Sequence, residues 1–334
     1  MKKAFALILT LVLALSLAGC GGATAPAPAP APPEPAPAPS QPLRLLMVTG
    51  GTAGTYFAYG GVIATTLTAN LDNIEITANT SGASVANVRS LNNKEAELAV
   101  VQNDVLYYAF NGVEMLADDG SMPTLRTIAT LYPEVIQVVA LESAGISSIA
   151  DLKGKRVCIG DAGSGTEANA RQVLAAFGLS FSDLGQAQNL SFADAATAMQ
   201  NGTLDASFTT AGVPNPAIME LSGSTKIVVV PIDGPEVEGL IADYPFYGTF
   251  TISDEAYSIP GGDTVAVLAT LACIEELSED AVYEITKGLF AYQEAIAAGH
   301  ARGNELSAEY AVVGVGTPFH PGAEKYYKEA GVID

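Results

Sequence analysis

From Leu43 onward, short apolar runs of strand length alternate with segments whose apolar residues recur at helix spacing. Few architectures satisfy that alternation. A strand that feeds a helix and then a second strand pairs in parallel, with the helices covering the sheet faces. Strands are read at residues 43–48, 74–77, 98–101 and 156–159. Helices are read at 55–69, 83–91, a segment through Tyr107 and Phe110, and 166–177. The last stretch reads as helical at 279–298, 305–312 and 321–330. Two extended passages break the rhythm. Residues 127–141 form a long apolar run interrupted only by Tyr132-Pro133-Glu134, and 246–252 with 264–271 form the other. One in the middle and one late suit a chain that crosses from one lobe to a second and then returns. The expectation is an α/β fold of two lobes, residues 43–133 with 255–334 and residues 134–254, with hinges at the crossings and a ligand cleft between.

The N-terminus predicts where such a body works. Lys2 and Lys3, an apolar run from Ala4 to Leu17, and Leu17-Ala18-Gly19-Cys20 have the order of a secretory signal, residues 1–19, with cysteine at the cleavage position. Cys20 is the expected lipidation site, as in bacterial lipoproteins. The apolar run is shorter than the ~20 residues a bilayer core needs, so the predicted attachment is by lipid alone, to the outer face of the cell membrane. Residues 20–42 are then a tether, rich in alternating Ala and Pro, that prefers extended polyproline II.

Composition narrows the partners. A formal net charge of -21 argues against nucleic acid and anionic lipid surfaces, both of which need basic patches. Only Cys158 and Cys273 remain beyond Cys20, each in an apolar run, and both are read as buried free thiols. His300 and His320 are the only histidines. No motif asks for a metal or a cofactor, and the default for a receptor that must close around a solute is a monomer.

Four strand-to-helix turns carry the chemistry. The first, Thr49-Gly50-Gly51-Thr52-Ala53-Gly54-Thr55-Tyr56, combines tight-turning glycines with hydroxyls at a helix start. Gly51, Thr52, Thr55 and Tyr56 are its candidate ligand contacts, because ligands of open α/β sheets gather at the carboxyl ends of strands. The second, 79–87, offers Ser81, Ser84 and Asn87, with either serine also a plausible helix cap. The third offers Gln102, beside Asp104 as the expected N-cap. The fourth, Gly160-Asp161-Ala162-Gly163-Ser164-Gly165-Thr166, is a cradle of N–H donors at a helix start, with Ser164, Gly165 and Thr166 as contacts and a carboxylate as the natural guest. It has no P-loop lysine, and Ala162 occupies the first glycine position of a nucleophile elbow. The turns read as a binding site for a small polar solute, not as catalytic machinery.

These segments, taken in order, resemble the TAXI solute receptors of TRAP transporters. The resemblance runs from Leu43 to Val332 and rests on Thr49-Gly50-Gly51 through Tyr56, Thr80-Ser81-Gly82 through Asn87, Gln102-Asn103-Asp104, Leu131-Tyr132-Pro133-Glu134, residues 151–157, and Gly163-Ser164-Gly165-Thr166. It continues through Leu204-Asp205-Ala206, Gly212-Val213-Pro214, residues 283–287 and His320-Pro321-Gly322-Ala323. It implies a type II periplasmic-binding-protein fold with two mixed or parallel sheets, flanking helices and hinge strands, and it adds Tyr132 to the ligand set. It also implies an organic acid or amino acid as ligand, such as glutamate, glutamine or 2-oxoglutarate, and an ion-driven membrane permease as partner. Ala53 and Ala83 depart from the family's pattern, which commonly has glycine at both places. The competing expectations are a same-fold receptor for an ABC importer or a sensor, a surface interaction lipoprotein, and a hydrolase, which would need a general base beside Ser164 or a carboxylate pair in the cleft.

Overall fold

The computed structural model describes residues 41–334. The signal peptide, Cys20 and nearly all of the tether lie outside the described residues. In chain order the elements are β1 (Leu43–Val48), α1 (Thr55–Asn70), β2 (Ile74–Asn79), α2 (Ser84–Asn92), β3 (Leu98–Gln102), α3 (Asn103–Asn111), β4 (Leu125–Leu141) and β5 (Arg156–Cys158). There follow α4 (Gly165–Ala176), β6 (Gln186–Gln188), α5 (Phe192–Gln200), β7 (Ala206–Ala211), α6 (Pro216–Ser224), β8 (Ile227–Val230), α7 (Pro235–Asp243) and β9 (Gly248–Ile252). The chain ends with α8 (Asp254–Tyr257), β10 (Gly262–Ile274), α9 (Glu279–Ala291), α10 (Gln293–Gly299) and α11 (Pro321–Glu329).

The two expected sheets are joined edge to edge into one ten-stranded path, β2-β1-β3-β10-β4-β7-β5-β6, with β8 on β4 and β9 on β10. β1 pairs in parallel with β2 and β3, and β5 with β6 and β7. The long strands β4 and β10 run antiparallel to each other and weld the two parallel sets together. Two register shifts in this pair, at Ala269/Thr270 and Leu271/Ala272, bend the junction. Pro133, which has no N–H to give a ladder, precedes the start of β7 pairing at Val135, so β4 continues through the interruption read from the sequence.

Side chains alternate across the strands and make a core on each face. Leu45, Met47, Leu98, Val100 and Leu271 pack under α1, α9 and α11, while Val48, Ala99, Val101 and Ala272 pack under α2 and α3. The second parallel set repeats this, with Ile136, Val138, Val157 and Phe208 on one face and Val135, Val139, Cys158 and Val229 on the other. The cores part between Tyr132 and Val135 in β4, and between Val267 and Ala269 in β10. Tyr257 and Val265 therefore belong with the second set, and the packing returns to the first set inside β10, not at residue 255.

Two helix expectations change at the C-terminal end. The 279–298 helix breaks at Tyr292, which leaves helical geometry while its hydroxyl reaches the Asn70 carbonyl at 3.3 Å. The 305–312 helix is replaced by short 3₁₀ turns at Ala301–Glu305 and Tyr310–Val312, near Gly299 and Gly303, which weaken helix propagation. Cys158 and Cys273 are buried free thiols. No helix among the described residues is long and apolar enough to cross a membrane.

Candidate functional site

The carboxyl ends of the parallel strands from both sets point at one cavity, whose water-accessible volume is ≈ 60 Å³. One water needs about 10–15 Å³ on this measure, so the space holds several waters or one small solute. Four helices of nine residues or more bring both their cap residue and their first residue to its wall: α1 through Gly54 and Thr55, α2 through Ala83 and Ser84, α4 through Ser164, Gly165 and Thr166, and α5 through Ser191 and Phe192. Each helix start carries unpaired N–H groups and roughly half a positive charge. Their convergence makes an anion-favouring field without a cationic side chain. The charged residues in the wall are Glu134 and Asp161.

Most of the residues read from the sequence meet here. Gly51, Thr52, Thr55, Tyr56, Ser84, Gln102, Ser164, Gly165 and Thr166 line the cavity. Ser164 accepts a hydrogen bond from the Glu167 N–H (3.1 Å) as N-cap of α4, which leaves its hydroxyl proton to donate. Thr55 Oγ1 accepts from the Gly212 N–H across the two sets at 3.2 Å.

Ser81, Asn87 and Tyr132 do not line it. Asn87 is fully buried, and its amide donates to the carbonyls of Thr49 (2.7 Å) and Val100 (2.8 Å). Ser81 donates to Asn87 Oδ1 (2.6 Å) and accepts from the Ala83 N–H (3.1 Å). Both brace the glycine-rich turn from behind, the Asn87 amide by bridging two strand ends and the Ser81 hydroxyl, 3.0 Å from the Thr49 carbonyl, beside it. Tyr132 is buried edge-on against Tyr59, ring centroids 5.7 Å apart, behind the cavity wall. Asp104 is not an N-cap. Gln102 holds that position in α3, and Asp104 is fully buried as its second residue, accepting from Asn169 at 3.1 Å. His320 is the N-cap of α11, accepting from the Gly322 N–H at 3.2 Å.

Sequence reasoning misses Glu134, Thr210 and the Ser191–Phe192–Ala193 corner, all of which line the cavity. Glu134 is almost fully buried on β4, and its Oε2 accepts from the Tyr56 hydroxyl at 2.6 Å. The chain of donors behind it has a fixed direction. The Gln102 N–H donates to Ser84 Oγ (3.1 Å), the serine hydroxyl lies 3.2 Å from Tyr56 Oη, and Tyr56 donates to Glu134. Burial drives the Glu134 carboxyl well above the ordinary range, the Tyr56 bond works against this, and the nearby Asp104 charge adds to it. Asp161, less buried, is also raised by burial, with help from Asp194.

The wall is closed by bonds between the two sets. Gln102 Nε2 donates to Asn169 Oδ1 (2.7 Å), the Ala86 N–H to the Gly163 carbonyl (3.2 Å), Asn215 Nδ2 to the Ala53 carbonyl (3.3 Å), and Gln172 Nε2 to Tyr108 Oη (3.2 Å). Tyr247 ties into the same network through Asn169 and Gln172. A methyl group at Gly165 would lie 1.5 Å from Gln102 Oε1, so this contact needs glycine.

Comparison with solved structures places the architecture. The alkanesulfonate-binding protein SsuA from Xanthomonas axonopodis pv. citri, bound to MOPS, matches with a TM-score of 0.50 at 17% identity over 86% of this chain and 84% of that one. A putative L-cystine ABC transporter protein from Listeria monocytogenes matches with a TM-score of 0.50 at 14% identity over 80% of this chain and 98% of that one. At these identities the likeness speaks for the fold alone, which is that of two-lobed periplasmic binding proteins. A sequence profile of the NMT1-like family matches residues 47–331, and the chain belongs to that family.

Proposed function

We propose that this protein is an extracytoplasmic solute receptor that closes on a small carboxylate-bearing molecule and hands it to a membrane permease. The observation that carries this reading is the convergence of four helix N-termini on one cavity clasped by bonds between two halves. Such a site holds a carboxylate with backbone donors and releases it when the halves part. The lobes of the receptor are then the two core sets, hinged within β4 and β10. Ser164 is committed to capping α4, and the cavity has no histidine or lysine in its wall, which favours binding over acyl-transfer chemistry.

The finer assignment, a lipid-anchored TAXI receptor of an ion-driven TRAP system, is supported by the ordered motifs from Thr49 to Ala323 and by the sequence of the first twenty residues. An ABC importer with the same receptor fold is the competing reading, and uptake experiments separate the two. Collapse of the ion gradient with an uncoupler stops a TRAP system while ATP remains. Thermal denaturation of the purified protein against amino acids, keto acids and dicarboxylates tests the receptor reading itself. A ligand at 100 times its Kd adds about 2.7 kcal/mol, a readily measured rise in Tm. A ligand-free protein that responds to no compound of these classes does not fit the reading.

A further inference from the structure

We propose that Glu134 takes an ammonium group, so that the solute is an amino acid with an uncharged side chain rather than a dicarboxylate or a keto acid. The inference rests on the receptor reading above and sharpens its ligand class.

Three observations lead to it. Glu134 and Asp161 are the charged side chains in the wall, and no lysine, arginine or histidine lines it. A second carboxylate on the solute would find no counter-ion and would face two acidic groups. Next, the only hydrogen bond to the Glu134 carboxyl among the described residues is the one from Tyr56 to Oε2, which leaves Oε1 for a guest. No ion pair to Glu134 occurs among the described residues. Finally, two more buried acceptors in the same wall have no partner, Gln102 Oε1 and Thr210 Oγ1. An ammonium brings three donors and no acceptor. The cavity thus has two poles, backbone N–H groups at the helix starts for a carboxylate and the Glu134 carboxyl for a cation. Tyr56 Oη bonds both Glu134 and Ser84, the first residue of α2, so the poles stand close enough for one small zwitterion.

The groups that face Glu134 are Tyr56 of α1, Tyr132 on its own strand and Asp104 of α3, and none of them is a cation. With burial raising its carboxyl, Glu134 holds its proton in the empty cavity more readily than an exposed carboxyl does. An arriving ammonium favours the ionised form. Binding then expels a proton from Glu134 to solvent, and affinity rises with pH until Glu134 is ionised before the ligand arrives.

The test is calorimetry on the purified full-length protein, stripped of carried-over ligand by unfolding and refolding. The titrants are the protein L-amino acids, the 2-hydroxy and 2-keto acid matching each binder, succinate and glutarate. An amino acid with an uncharged side chain should bind, and its hydroxy and keto counterparts should bind at least about 30-fold more weakly, in line with the loss of a hydrogen bond to a charged group. Heats in phosphate and Tris at one pH should differ in the sense of proton release on binding. In Glu134→Gln that release should vanish and the amino acid should bind at least about 30-fold more weakly. A keto acid or dicarboxylate that binds the wild-type protein as tightly as any amino acid overturns the ammonium assignment but leaves the carboxylate receptor standing, and this comparison needs no variant. Unchanged affinity in Glu134→Gln does the same. Silence from every compound overturns both readings.

Discussion

The two parallel sets of strands start their helices differently at the cavity. α1 and α2, in the first set, begin at Gly54 and Ala83 and have no side-chain cap. α4 and α5, in the second, are capped by Ser164 and Ser191, which accept from the N–H groups of Glu167 and Asp194. A cap satisfies a donor that would otherwise be left for something else. The first set therefore spends no first-turn donor on a side-chain cap, although Ala86 of α2 gives its N–H to the Gly163 carbonyl across the sets, while the second commits one donor at each helix and contributes hydroxyls, the Phe192 ring and the closing contacts. One half is built to hold a guest and the other to shut over it.

The strongest way to break this division is to stop the second half from closing. Gly165→Ala would place its methyl group against Gln102 Oε1, which is itself tied to Asn169. We expect ligand affinity to fall by about 100-fold, an overpacking penalty of roughly 1–3 kcal/mol, with the unliganded protein nearly as stable as wild type. Adding Gln102→Ala should make room and recover part of the affinity. Recovery to no degree would mean that the clash lies elsewhere. The next largest effect should come from the brace behind the first half. Asn87→Ala removes the amide donor from the Val100 carbonyl and leaves Thr49's carbonyl to the Ser81 hydroxyl alone, 3.0 Å away. A buried orphan costs about 1–3 kcal/mol, so urea denaturation should show a loss of about 2 kcal/mol. A loss below 1 kcal/mol would mean that water replaces the amide and that the turn does not depend on it.

The same division explains what is legible in the sequence. The glycine-rich turns after β1, β2 and β5 announce themselves because turn residues sit between an apolar strand and a helix. They lead directly to Tyr56, Ser84, Ser164 and Thr166. Asn87 and Ser81 lie on the opposite side of the turn from the one expected, since helix spacing says which residues share a face but not whether that face meets a ligand or a backbone. Glu134 is visible only as an interruption in an apolar run. Its depth comes from Tyr56, 78 positions earlier in the chain. β7 escapes the pattern because Ala206–Ala211 buries a serine and two threonines in a strand, where composition suggests a loop. Ser191 and Phe192 escape with it, as no strand or helix is read between residues 178 and 245.

Asp104 tests the closing network through pH. It lies in α3 of the first half and is held by Asn169 of the second. Burial is the main cause that pushes its carboxyl from 3.8 up to about 6, and hydrogen bonds only partly offset it. The folded protein therefore holds this proton more tightly than the unfolded chain does. Its contribution is fully present below pH ~4 and is lost as pH rises through about 6. Asp104→Asn keeps an oxygen for Asn169 and removes the ionisation. It should abolish this part of the decline between pH 4 and 6 and raise stability at pH 7 by on the order of 2 kcal/mol. Parallel pH profiles for variant and wild type would show that Asp104 titrates alike in the folded and unfolded chains, so that burial does not raise its carboxyl.

The smallest effect should come from Ala83, the cap position of α2, and it sharpens the comparison most. Its backbone lies at φ 65 and ψ -153, a region open almost only to glycine. Holding alanine there costs about 1–3 kcal/mol. Ala83→Gly relieves that strain and gives back about 0.4–1 kcal/mol through the freer unfolded chain. Strain outweighs the entropy, so the variant should be more stable by about 1 kcal/mol in urea. Its binding then separates two roles for the strain. If the alanine pins the free N–H groups at the start of α2 toward the cavity, the more stable variant should bind its ligand several-fold more weakly. Equal affinity at higher stability would make the strain a local cost with no bearing on the open donors, and the contrast between the two halves would then rest on the missing caps alone.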